Sequence, residues 1–313
     1  MRSYEFIGSV TGSGSFTRNL AQVGDVDGDG LGDVLISDET ASGGGNAWLI
    51  SAADLASLDA LDGATDGQID VDLIPGAGTS GSYQFSSTDS QTLLSVRVGV
   101  DISSAGDVDN NGVNELFIAV GGAGGFGEVF VIDAADLSAL DALDGVVDGD
   151  IDMSLISGTG GTYQFTSSSG NRLDYEISSA GDIDNDGLDD LIIARSQQSI
   201  GGGSNNGGGY IISAADFADL DALDGSTDGE INLDLVAGTG GSYQFIGAGA
   251  NDTVGSSVSS AGDVDGDGFD DLLIGANQAG SSGETYLISG ADLAALDALD
   301  GSTDGEIDLG LVA

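Results

Sequence analysis

The sequence predicts an all-β repeat protein, on three observations. Tyr-x-Phe recurs at Tyr4-Glu5-Phe6, Tyr83-Gln84-Phe85, Tyr163-Gln164-Phe165 and Tyr243-Gln244-Phe245, spaced by 79, 80 and 80 residues. Self-similarity at a fixed period is the mark of a repeat architecture, in which each unit buries its apolar face only against its neighbours. Within each period, short runs rich in Val, Ile, Leu and Phe are separated by Gly, Asn and Ser clusters, the pattern of strands and turns. Finally, 40% of residues are hydrophobic, enough for a packed core despite a formal net charge of -48. The chain is therefore one repeat domain, 1–313, of units 1–80, 81–160, 161–240 and 241–313.

The last unit shows the elements in order. Tyr243-Gln-Phe-Ile, Ser257-Val-Ser-Ser-Ala-Gly262, Asp271-Leu-Leu-Ile-Gly275 and Glu284-Thr-Tyr-Leu-Ile-Ser289 are four strand-like runs. A short helix is expected between Ser289 and Gly301. Leu293, Leu296 and Leu299 fall on one side, Ser289 and Asp292 have capping-box spacing, and Gly301 terminates it. Each unit thus predicts four strands and one small helix.

Between the second and third runs lies an acidic loop. Unit four reads Asp263-Val-Asp265-Gly-Asp267-Gly268-Phe269-Asp-Asp271, with oxygens at positions 1, 3, 5 and 9, a backbone carbonyl counted at position 7, and glycine at position 6. Unit one offers Asp25, Asp27, Asp29, Leu31 and Asp33 around Gly30; unit three offers Asp182, Asp184, Asp186, Leu188 and Asp190 around Gly187. Unit two has Asp107, Asp109, Asn111, Val113 and Glu115 around Gly112. A hard cation taking six to eight oxygens at roughly 2.3–2.6 Å suits this spacing, so Ca²⁺ is expected over Mg²⁺, which keeps more of its waters. One such loop is an ordinary solvated turn, but four in register have no reason to share offsets unless an ion is held. Unit two, with one carboxylate fewer, is expected to bind most weakly.

A second acidic string follows the helix: Asp62, Asp66 and Asp70; Asp144, Asp148 and Asp152; Asp224, Asp228 and Asn232; Asp300, Asp304 and Asp308. It reads equally as a calcium loop lacking its position-3 ligand or as an acidic turn leading into a strand. Four ions are expected, and eight if these strings also bind.

Composition narrows the function. Fifty-three acidic residues face five basic ones, all arginine, with no lysine or histidine, so nucleic acid and anionic membrane are poor partners. No run approaches the roughly 20 apolar residues of a membrane span, so no membrane insertion is expected. The start, Met1-Arg2-Ser3-Tyr4, lacks the apolar run of a secretory signal, which places any targeting segment elsewhere. Cysteine is also absent, excluding disulfides and, with histidine, the usual nucleophile–imidazole pairs. A carboxylate pair of the glycosidase kind should occur once, yet nearly every conspicuous Asp recurs in all units; the chain is read as no enzyme. Trp48, Arg97, Arg172, Arg195 and the Gly201–Gly209 insertion, which do not repeat, are read as surface variation.

The run Val254-Gly255-Ser-Ser-Val-Ser-Ser-Ala-Gly-Asp263 through Asp271-Leu-Leu-Ile-Gly275-Ala276 resembles an FG-GAP repeat, the blade of the integrin α-subunit β-propeller and of many bacterial surface proteins. Val98-Gly99 and Val254-Gly255 keep the first glycine of the signature while Phe16-Thr17 and Leu173-Asp174 do not, and Asn277 stands where the family has proline. The resemblance implies four four-stranded blades, β-propeller-like, each carrying a short inserted helix. The loop would join a blade's first and second strands, and Tyr-x-Phe of the next unit would be its fourth. Tyr4–Phe6 then belongs to no preceding blade, and is expected to close the last one within the chain. It further implies an extracellular or cell-surface protein binding calcium, used in adhesion to a surface glycan or protein or as a matrix scaffold. The alternatives are a filament subunit joined to itself head-to-tail by strand donation and an accessory domain of a polysaccharide-active enzyme.

Overall fold

A computed structural model describes residues 3–8, 19–39, 44–78, 81–87, 96–122, 127–167, 175–197, 199 and 205–312. Phe16-Thr17, Arg172, Leu173-Asp174 and the first part of the glycine-rich insertion lie outside them. The chain is mostly β and divides into two compact units, residues 1–104 with 113–164, and 105–112 with 165–313. No helix among the described residues is long and apolar enough to cross a membrane.

The first unit holds β1 (Glu5–Ile7), β2 (Asn19–Gly24), β3 (Asp33–Asp38), β4 (Asn46–Ile50), α1 (Leu55–Leu58), β5 (Gln68–Asp70), β6 (Tyr83–Ser86), most of β7 (Arg97–Gly106), β8 (Glu115–Gly121), β9 (Glu128–Ile132), α2 (Leu137–Asp141) and β10 (Asp150–Asp152). The division between units falls inside β11 (Tyr163–Thr166). One sheet has the order β10-β6-β4-β3-β2, while β1 and β5 form a two-stranded sheet. The second unit holds β12 (Tyr175–Gly181), β13 (Asp190–Arg195), β14 (Gly208–Ile212), α3 (Phe217–Asp221), β15 (Glu230–Asn232), β16 (Tyr243–Ile246), β17 (Val254–Gly262), β18 (Asp271–Ala276), β19 (Glu284–Ser289), α4 (Leu293–Asp297) and β20 (Glu306–Asp308). Its sheets run β12-β13-β14-β16-β20 and β17-β18-β19.

The expected strand order is present. In each complete sheet strands one to three are an antiparallel meander, and Tyr-x-Phe of the next unit adds antiparallel as the fourth: Ala47 faces Phe85, and Gly209 faces Phe245. These phenylalanines are fully buried. Phe85 packs with Leu35 and Leu49, and Phe245 with Ile192 and Ile211. Truncating such a side chain costs the transfer energy of the ring plus the cavity left behind. Phe245→Ala is expected to lose about 3–5 kcal/mol in urea unfolding; a loss below about 1 kcal/mol would mean that strand four is not integral to the sheet.

Two expectations are corrected. The complete sheets have five strands, because the second acidic string contains a further strand pairing parallel with Tyr-x-Phe. Phe85 faces Ile151 and Phe245 faces Ile307. The signal was one isoleucine per string: Ile69, Ile151, Ile231 and Ile307 are at most 1% exposed. Within the first unit β1 pairs with β5, and in the second β17-β18-β19 form a three-stranded sheet. Trp48 and Arg195 are core residues, 1% and 2% exposed. Trp48 occupies the aromatic position that Phe130 and Tyr210 hold in later repeats, each opposite the fourth residue of its strand two. Arg195 donates to Ser167 Oγ at 3.2 Å, whose hydroxyl donates to Asp234 at 2.8 Å.

The helical insert is short. In the last repeat it is a 3₁₀ turn, the five residues of α4, a second 3₁₀ turn and Gly301 at φ 94°. Gly301 ends it as expected, but the Ser289 side chain makes no capping bond. The first aspartate of the insert clasps the neighbouring repeat instead: Ser82 Oγ donates to Asp54 at 2.9 Å, and Ser242 Oγ to Asp216 at 2.8 Å.

Candidate metal sites

The four acidic loops join strand one to strand two, at β2–β3, β7–β8, β12–β13 and β17–β18. Local chemistry shapes them before any ion is considered. The strand pairing shifts register at Gln22/Gly24, Ser179/Gly181 and Ser260/Gly262, where the glycine has φ of 82°, 75° and 67°. Such a bulge bends the strand and turns the loop outward. Position 4 also takes the left-handed conformation, as Gly28, Asn110, Asn185 and Gly266, residues that tolerate it at little cost.

Position 1 organises the turn. Asp25 accepts the Gly30 N–H at 2.8 Å, and Asp107, Asp182 and Asp263 accept the N–H of Gly112, Gly187 and Gly268 at 3.0 Å. Asp109, Asp184 and Asp265 at position 3 accept the position-5 N–H, while Asp29, Asp186 and Asp267 accept that of position 7. These bonds draw the carboxylates of each loop inward around its turn. Asp33 and Asp190 at position 9 are buried at the head of strand two and accept two backbone N–H bonds each.

Asp25, Asp27 and Asp29 each place a carboxylate oxygen within 4.8 Å of the others; so do Asp182, Asp184 and Asp190, and Asp263, Asp265 and Asp271. Oxygens at about 2.3–2.6 Å from one ion lie at most about 5 Å apart, so these spacings fit a single Ca²⁺. Two further observations fit it. Asp25 and Asp271 each have a buried carboxylate oxygen with no hydrogen-bond partner, a costly arrangement unless a cation is supplied. Burial, reinforced by Asp184 and Asp186, pushes the Asp190 carboxyl up to about 8, and burial also raises Asp33 and Asp184. A bound cation would hold these groups ionised. Of the second loop, Asp107, Asp109 and Asn111 lie in the second unit, and Glu115 opens β8, buried in the first. There the Asn111 amide donates to Asp109 at 3.1 Å, occupying an oxygen that an ion would use.

Two aspartates that the repeat pattern did not single out tie successive loops together. The Asp107 N–H donates to Asp189 Oδ2 at 2.9 Å and the Asp182 N–H to Asp270 Oδ2 at 3.2 Å; the Asp189 and Asp270 N–H groups donate back to the Asp107 and Asp182 carbonyls. Gly106 and Gly181, at φ 84° and 75°, leave room for those carboxylates, since a Cβ there would overlap them. The sequence signal was an aspartate at position 8 of loops three and four, where loops one and two have Gly32 and Asn114.

The second strings are built as turns. Asp62, Asp144, Asp224 and Asp300 each accept the N–H two residues on. Asp66, Asp148, Asp228 and Asp304 do the same at the strand entry, as do Asp70, Asp152, Asn232 and Asp308 at its exit. Among the described residues none of them joins a group of three gathered carboxylates. The glycine of each string is held by the helix's last aspartate, Asp59, Asp141, Asp221 or Asp297, at 2.7–3.0 Å.

Fold and loops together define a β repeat protein with an acidic, turn-organised loop between the first two strands of each repeat. Residues 254–288, covering β17, the fourth loop, β18 and most of β19, match the family model of the FG-GAP repeat. No curated protein matches the chain.

Proposed function

We propose that this chain is a non-enzymatic, calcium-dependent extracellular module of the integrin-like FG-GAP kind, serving as a surface or matrix scaffold or in adhesion. The observation that carries it is the gathering of carboxylates in an FG-GAP loop, with a buried Asp271 oxygen left without a partner. Calcium would neutralise each cluster and lock the turn between strands one and two, coupling ion binding to folding. The absence of histidine and cysteine, and the recurrence of the conspicuous acids in every repeat, support a structural role over a catalytic one. Millimolar free calcium outside cells suits sites of this type.

Titration of decalcified protein with CaCl₂ in a calorimeter tests this. Three comparable sites and a weaker fourth are expected; no heat of binding at millimolar calcium would remove the reading. Asn111→Asp restores the missing carboxylate and frees the Asp109 oxygen. It is expected to tighten the weak site roughly tenfold, about 1.4 kcal/mol at surface-loop screening, in the same titration.

A further inference from the structure

The acidic loops of the second unit are joined to one another in a fixed pattern. The residue at position 1 of a loop is held at both of its backbone groups by the residue at position 8 of the loop that follows. Asp270 Oδ2 accepts the Asp182 N–H at 3.2 Å while the Asp270 N–H donates to the Asp182 carbonyl at 3.0 Å, and Asp189 holds Asp107 in the same way at 2.9 and 3.1 Å. Loop three turns around Asp182, whose carboxylate accepts the N–H groups of Asp186 and Gly187 at 3.0 Å. Asp270 in turn is the neighbour of Asp271, the position-9 carboxylate of loop four, which is 1% exposed, accepts the Val264 N–H at 3.0 Å with one oxygen and has no partner for the other. A cation supplied to loop four would satisfy that oxygen and pin Asp271, and with it Asp270 and the backbone of Asp182. Asp189 stands in the same relation to Asp190 of loop three. Loop one is built differently. Beside Gly24, where Gly106 and Gly181 meet an aspartate, stands the amide of Asn114, which donates to Ser104 Oγ at 3.3 Å.

We propose that Asp270 and Asp189 are positioning residues that couple the sites, so that calcium in one loop raises the affinity of the loop before it. This coupling, which rests on the loops being calcium sites, comes from order. A ligand whose backbone is already held loses less freedom when its carboxylate takes an ion. The effect is reciprocal, so a filled loop three favours loop four equally. Two bound cations also repel, which opposes the coupling; salt screens that repulsion and leaves the ordering untouched. Cooperativity is therefore expected to rise with ionic strength even as overall affinity falls. With clasps running from loop four to three and from three to two, these loops fill over a narrower range of calcium concentration than loop one.

Calorimetric calcium titrations of the full chain test it, with loop three identified in each background as the site lost on adding Asp184→Ala. Asp265→Ala, which disables loop four, is expected to weaken loop three about fivefold or more. In an Asp270→Ala background the same substitution is expected to change loop three by less than about twofold, as for independent sites. Asp270→Asn, whose amide oxygen still accepts the Asp182 N–H, is expected to restore the coupling, and Asp27→Ala, which disables loop one, to leave loop three as it was. The contrast between Asp265→Ala and Asp27→Ala needs no change at Asp270 and decides the matter even where Asp270→Ala does not fold. A loop three unchanged by Asp265→Ala, or a coupling that survives Asp270→Ala, overturns the proposal while leaving calcium binding in place. No heat of calcium binding in the wild type overturns both.

Discussion

Chelation with EDTA at pH 7–8 is expected to unfold the protein or to lower its melting temperature by more than about 15 °C, a fall of about 2 °C per kcal/mol in a domain of this size. An ion at 100 times its dissociation constant contributes about 2.7 kcal/mol. Three such clusters contribute about 8 kcal/mol, comparable to the entire stability of a typical domain, about 5–15 kcal/mol. The repulsion left behind acts in the same direction, because 53 acidic residues face 5 arginines. Circular dichroism melts with EDTA, with calcium restored and with magnesium in its place measure the effect. Calcium is expected to restore the melt and magnesium to do so only in part; equal melts in EDTA and calcium would contradict the reading.

In EDTA the protein is expected to become more stable as the pH falls from about 8 toward 4, against the usual trend. Asp190 shows the sign. Its carboxyl is raised to about 8 in the folded chain, chiefly by burial, and returns to the ordinary range near 3.8 when unfolded. Between those values the folded state holds one proton more than the unfolded state, so stability declines by about 1.4 kcal/mol per pH unit, a total of roughly 5 kcal/mol by pH 8. Asp33, Asp150 and Asp184, also raised by burial, act in the same direction. With calcium bound the carboxylates must be ionised, so protons compete with the ion and the slope reverses. Melting temperatures across this range, with and without calcium, separate the two regimes. An EDTA series in which stability rises with pH would mean that these carboxyls are ionised in the folded state without an ion.

The strands and acidic loops were legible because each leaves a local trace repeated four times. The three strands around the fourth loop fall on Val254–Gly262, Asp271–Ala276 and Glu284–Ser289, where apolar runs alternate with glycine and serine. The loop residues were legible because an ion or a tight turn constrains neighbours in sequence. Asp189 and Asp270 were not, since their partners lie 82 and 88 residues away. Nor was Trp48, whose burial depends on strands from the next repeat.

By itself, then, the sequence determined the repeat, the strand runs and the acidic loops, all set by spacing within about ten residues or by recurrence, while the strand order came from the resemblance to the FG-GAP repeat. Tertiary structure alone decided which carboxylates converge on one point and which are spent on turns, since Asp62 and Asp263 look alike in a string and differ only in what the folded backbone places beside them. It also decided that a three-residue strand such as Asp150–Asp152, too short to announce itself, completes a sheet through a single buried isoleucine.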